Sequence, residues 1–191
     1  LVYFDEPQPT DTESLSKIPK KLIGDYFNPK DNSHLIISEN LIHRTFDLDN
    51  KIHINELDSL EILSGDTITN SKTNEKITVK REGDSLIYHV HFLDTIFNMK
   101  KNNILKKYKG YYFLNTAFDE DNWEVLKLKL EKGKLTLGSI NSIEEINSLE
   151  KITETPHDSI SPYKFKPTKN QFKQFIKNNG FNDEEVYFRI K

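Results

Sequence analysis

The stretch IPKKLIGDYF at residues 18–27 returns as ILKKYKGYYF at residues 104–113. A second echo follows each copy: INELDSLE runs from Ile54 to Glu61, and IEEINSLE from Ile143 to Glu150. The order of the two motifs and their approximate spacing are both kept, so the chain is read as two copies of one supersecondary unit. Half-chains of this size bury their apolar faces poorly alone, so the copies are expected to share a core. Duplication also argues against a single buried reaction centre. The expected division is an N-terminal tether over 1–16, a first β-rich unit over 17–103, and a second over 104–191.

Composition leans the same way. Ala117 is the sole alanine, which removes the best helix former. Ile, Val, Thr, Tyr and Phe suit a pleated, half-buried surface instead. The net charge of −3 comes from interspersed acids and bases, so no extended basic face is offered to a phosphate backbone, and nucleic acid is not an expected partner. With no cysteine, a disulfide framework, a thiolate zinc site and a cysteine nucleophile are all ruled out. No apolar run approaches the roughly 18 residues that span a bilayer as a helix.

Along the chain, LVYFDEPQPTDTESLS is acidic, proline-bearing and aperiodic, the character of a tether. Leu35–Ser38 and Leu41–Phe46 read as paired strands reversing at Glu39-Asn40, and Lys76–Lys80 with Ser85–Phe92 as a hairpin. Asp94–Asn98 and Leu105–Asn115 read as two further strands. Trp123–Glu131 turns at Lys132-Gly133 into a strand bearing Leu135 and Leu137. Asn40 and Gly133 stand at equivalent turns and are expected to share a positive φ. The second copy is longer by about seven residues near Asp119, read as a loop insertion. Ile54, Leu57 and Leu60, like Ile143, Ile146 and Leu149, recur every third residue, which suits a short helical turn or an irregular edge. Thr168 and Gln171 form a capping box that opens a helix over 169–178, with Phe172, Phe175 and Ile176 on its apolar stripe and Gly180 ending it. Val186–Ile190 reads as a closing strand.

Candidate chemistry is sparse. His89 and His91 alternate on one strand and leave its same face, a half-site for zinc or copper to which His43 or His53 would add a third ligand. Leu86, Tyr88, Val90 and Phe92 form the apolar face, so the histidines fall on the wetter side and are read as solvated or partner-facing. Asp47-Leu48-Asp49-Asn50 and Asp119-Glu120-Asp121-Asn122 resemble the opening of a calcium loop, but both lack its sixth-position glycine and twelfth-position glutamate. They are read as acidic turn tips. Glu144 and Glu145 invite a paired-carboxylate reading; because Asn55 stands opposite Glu144 in the other copy, solvated turn charges are preferred. Gly24, Tyr26 and Phe27, with Gly110, Tyr112 and Phe113, are structural repeat positions: the glycines permit close approach or a bulge, and the aromatics pack rather than form a stacking platform. No cofactor is expected, and no catalytic residue is assigned.

Three passages carry a resemblance: YFDEPQP followed by IPKKLIGDY, KYKGYYFLN with the downstream NWEVLKLKL, and KPTKNQFKQFIKNNGF. In these the chain resembles small envelope lipoproteins of Bacteroidota, particularly of flavobacteria. The resemblance implies export, a lipidated cysteine just ahead of the mature chain, and residence at the bacterial outer membrane on its periplasmic or cell-surface face.

The expectation is therefore a β-rich α+β fold, mainly antiparallel, of two related hairpin units and a C-terminal helix. The expected function is that of a non-catalytic, lipid-anchored accessory subunit binding another envelope protein. A lipocalin-like carrier of a small apolar ligand is the alternative.

Overall fold

A computed structural model describes residues 1–155 and 162–190. Its strands are β1 (Val2–Phe4), β2 (Ser14–Leu15), β3 (Gly24–Asn28), β4 (Ser33–Ile37), β5 (Leu41–His53), β6 (Glu61–Ser64), β7 (Thr67–Asn70) and β8 (Lys76–Glu82). There follow β9 (Ser85–Asn98), β10 (Asn103–Tyr108), β11 (Tyr111–Ala117), β12 (Trp123–Glu131), β13 (Lys134–Ser139), β14 (Tyr163–Phe165) and β15 (Asp183–Arg189). The helices are α1 (Ile143–Thr153) and α2 (Lys169–Lys177). The fold is β-rich α+β and mainly antiparallel; β1 with β14 is a parallel pair.

After each glycine the chain runs through a three-stranded meander. In the first copy β3, β4 and β5 form a meander that ends in a capped 3-10 turn, Ile54–Glu56; in the second, β11, β12 and β13 form a meander that ends in α1. Tyr26 and Tyr112 are both buried in one cluster. Ahead of the glycines the copies diverge. Pro19 opens a 3-10 turn, Lys20–Leu22, and Gly24 begins β3 opposite Ile37. In the second copy Leu105 belongs to a true strand, and Lys109-Gly110, with φ of 51° and 86°, makes the hairpin turn between β10 and β11. Leu105–Asn115 is thus two strands, and the repeat glycines serve different backbone settings. The extra residues near Asp119 are not a loop insertion: residues 29–32 and 118–122 are similar links, and the length goes into the longer β11 and β12. Lys132-Gly133 turns with positive φ at both residues, whereas Asn40 does not, so that shared reason fails.

Compactness does not follow the repeat. The chain divides into a larger unit, 1–44 with 95–191, and a smaller one, 45–94, in place of the boundary expected at 103/104. Strands β5 and β9 each run through a division point.

In the larger unit the strand order is β2-β10-β11-β12-β13-β15-β3-β4-β5, so β15 bridges the two meanders. Strand alternation gives the sheet two apolar faces. One gathers Leu105, Leu114 and Leu128 with Leu35, Ile37, Ile42 and Phe97 around the buried rings of Tyr26, Tyr112 and Tyr187. Strands from both ends of the order meet there, so the sheet curls around a side-chain-filled interior. The other face, through Phe113, Trp123 and Val125, receives α1 (Ile146, Leu149), α2 (Phe172, Phe175), β1 and β14. Helix α2 begins at Thr168 with the expected reciprocal bonds to Gln171.

The N-terminal segment is no tether. Val2, Tyr3 and Phe4 are buried as β1, paired with β14 and with β12. Beyond them the backbone of Gln8 is gripped by Asn115, whose Oδ1 accepts from Gln8 N–H at 2.6 Å and whose Nδ2 donates to Gln8 C=O at 2.9 Å. Lys106 Nζ donates to the carbonyls of Pro7 and Pro9, both at 2.8 Å. Burial pushes that ammonium's pKa down, since the charged form is poorly solvated there.

The smaller unit pairs its strands in the order β5-β9-β8-β7-β6. Its apolar cluster is small: Ile68, Val79 and Leu86 are buried, with Ile52, Ile54, Leu57, Leu63 and Tyr88 packed around them. The β6–β7 hairpin was not expected from the sequence.

Candidate functional site

Two carboxylates from β5 meet the histidine pair of β9. His91 Nδ1 lies 2.7 Å from Asp47 Oδ1, His89 Nδ1 lies 2.9 Å from Asp49 Oδ1, and His89 Nε2 lies 3.4 Å from Asp47 Oδ1. The cause is local: alternate residues on adjacent strands leave one face, and cross-strand neighbours touch. All four side chains are exposed. Asp47 and Asp49 therefore sit on a strand and not at a turn tip. Asp119 does sit in a link, where its carboxylate accepts from Asp121 N–H at 3.0 Å and from Asn122 Nδ2.

His53 does not join the pair as a ligand. It caps the turn after β5, with Nδ1 accepting from Asn55 N–H at 3.2 Å. His43 lies in the larger unit's stretch of β5. Among the described residues, no three histidine, aspartate or glutamate side chains converge as a metal would require.

What the pairs do is tune charge. The hydrogen bond to His91 holds Asp47 below its usual 3.8, and the bond to Asp49 raises His89 above its usual 6.5. The sign of the linkage follows. The contribution from His89 is complete below 6.5 and is lost as pH rises through the raised folded value. That from Asp47 is complete above 3.8 and is lost as pH falls through the lowered folded value. Both act together only between those limits. An NMR titration of Asp49→Asn is expected to bring His89 back towards 6.5. An unchanged midpoint would show that the contact is absent in solution.

The two glutamates part company. Glu144 is exposed. Glu145 is 3% exposed, which corrects its reading as a solvated charge. It is the N3 residue of α1's capping box: Oε2 accepts from Ser142 Oγ at 3.1 Å, and Oε1 accepts from Asn182 N–H at 2.9 Å. Glu56 has the same role after β5, accepting from His53 N–H at 3.0 Å. The glutamate repeated in both copies is thus a helix-start residue. Replacing Glu145 by Ala is expected to cost about 2 kcal/mol in chemical denaturation, from the lost cap and the stranded Asn182 N–H. Glu144→Ala should lie within about 0.5 kcal/mol of the parent.

The repeat aromatics form no platform either. Tyr112 and Phe113 face opposite sides of the sheet, in different clusters. Tyr26 and Tyr112 carry cations over their rings, Arg189 at 5.0 Å and Lys21 at 5.5 Å. Tyr187, donating to Glu185 at 2.6 Å, has its pKa pushed up to about 12, chiefly by burial.

The surface feature that sequence reading missed lies on the other face of the β5–β9 pair. Phe46 stacks on Phe92, with ring centroids 5.0 Å apart and planes 14° from parallel. Leu48, two residues along β5, shares that face, as does Ile77 on β8 through the register that sets Val79 opposite Tyr88. Leu48, Ile77 and Phe92 are 47%, 39% and 38% exposed. Along the same face Ile68, Val79 and Leu86 are buried with the turn residues Ile54 and Leu57 packed against them, so Leu48, Ile77 and Phe92 form its uncovered part. The apolar alternation was legible. That no helix would cover it was not.

Comparison with family models, curated proteins and solved structures finds no match to this chain.

Proposed function

We propose that this chain is a non-catalytic binding protein that engages another protein through the open apolar face of its smaller unit. One observation carries the reading: beyond its small buried cluster the apolar face leaves Leu48, Ile77 and Phe92 exposed, the last stacked on Phe46. Contiguous exposed apolar surface of this kind marks interaction sites. The carboxylates that invited an enzymatic reading support the binding one, since Glu145 is spent on capping and Glu144 points to solvent. The small-ligand carrier draws little support, because the interior of the curled sheet is occupied by Tyr26, Tyr112 and Tyr187.

The setting we propose is the bacterial outer membrane, with a lipid anchor ahead of Leu1, as the resemblance to flavobacterial lipoproteins implies. Among the described residues no helix is long and apolar enough to cross a membrane.

The test is site-specific photocrosslinking in cells that make the protein. A crosslinker at Leu48 is expected to give an adduct of one defined mass. The same group at Phe118, an exposed aromatic of the larger unit, should give none. Equal adducts at both positions, or none at Leu48, would remove the proposal.

A further inference from the structure

We infer that the occupant of this face is a basic polypeptide surface, an apolar ridge flanked by lysine or arginine; this rests on the binding role proposed above. Charge distribution is the argument. Residues 45–94 hold ten carboxylates against five lysines and arginines, a net of −5 with histidine neutral, whereas the whole chain stands at −3. The rest of the molecule is accordingly at +2. The negative charge is concentrated on the unit that carries the open apolar face.

Asp94 follows Phe92 by two residues on β9 and shares its face, as Arg81 does on β8; Asp66 lies in the β6–β7 turn, and Glu61 stands on the far edge strand, four strands from β5. On the reverse face Asp47 and Asp49 add two more, partly offset when the histidines are protonated. Charges within about 8 Å of a contact are little screened at physiological salt, so a facing basic surface is drawn in and a facing acidic one repelled. The same reasoning disfavours another molecule of this chain seated face to face, which would oppose −5 to −5. It also disfavours an anionic lipid surface.

The experiment uses the full chain, isotope-labelled, with two synthetic peptides that alternate isoleucine with lysine or isoleucine with glutamate. Amide NMR shifts report both affinity and footprint. The lysine peptide is expected to perturb Phe46, Leu48 and Phe92 and to bind about tenfold more tightly than the glutamate peptide at low salt, the advantage shrinking as salt is raised. Leu48→Ser should weaken it, while Leu93→Ser, whose exposed side chain belongs to the opposite face, should not. The footprint on the parent chain decides the matter even if Leu48→Ser fails to fold. Equal binding of both peptides at this face would overturn the basic partner and leave the binding role intact. No footprint at this face from either peptide would overturn the binding role itself. Concentration-dependent dimers in sedimentation, abolished by Leu48→Ser, or perturbation of these residues by phosphatidylcholine vesicles would replace the occupant by another molecule of this chain or by lipid.

Discussion

Deleting residues 1–11 is expected to lower the midpoint of thermal unfolding by roughly 10–20 °C. The deletion removes Val2, Tyr3 and Phe4, all less than a tenth exposed, and with them the coverage over Trp123 and Phe165. Burial of three such side chains is worth about 5 kcal/mol. A second cost follows at Lys106, which loses the carbonyls of Pro7 and Pro9 and is left as a buried ammonium without those acceptors. A third falls on Asn115, whose amide now grips Gln8 from both sides. A segment that merely tethered the fold would leave the midpoint within about 1 °C of the parent, since surface changes cost little. Calorimetry on the truncated chain separates the two outcomes.

Phe172→Ala is expected to cost about 4 kcal/mol in urea denaturation. The ring is fully buried where α2, β1, β11 and the link after α2 meet, with centroids 6.0 Å from Phe4, 5.2 Å from Phe113 and 5.9 Å from Phe181. Its contacts are edge-on or tilted, so the aromatic geometry adds to area burial. Truncation leaves a cavity among rigid rings. Gly180 worsens the prospect of collapse: a Cβ at that position would lie 2.5 Å from the Phe175 ring, so the chain after α2 is already in close contact. A loss below about 1 kcal/mol would mean that α2 is not part of the cooperative core.

These two sites show what sequence reading can and cannot reach. The Phe172 stripe was plain because helical spacing and a capping box agree locally, and local agreement is what a sequence displays. The β12–β13 hairpin was readable for the same reason, from Leu126, Leu128 and Leu130 alternating up to Lys132-Gly133. The anchoring of the N-terminal segment was invisible. Its proline-bearing, acidic residues carry no period, and the groups that hold it, Lys106 and Asn115, stand about a hundred residues away and bind main-chain atoms. Helix α1 is half legible: the threefold spacing of Ile143, Ile146 and Leu149 shows in the sequence, whereas Glu145 reads as a solvated charge until Ser142 is placed as its N-cap. The β6–β7 hairpin turns at Gly65-Asp66, a turn pair flanked by strands of only four residues each, too short to show a clear alternation. At the histidine pair, alternation told which face His89 and His91 share, while the facing aspartates, some forty residues earlier, required the strand register.

The anchoring of β1 on both sides has one more consequence. The carbonyl of Leu1 is already engaged, accepting from Tyr163 N–H at 3.0 Å, so whatever is joined ahead of Leu1 leaves from a fixed point on the larger unit. Reach from that point is set wholly by what precedes Leu1, since the first residues, pinned in β1, lend no slack.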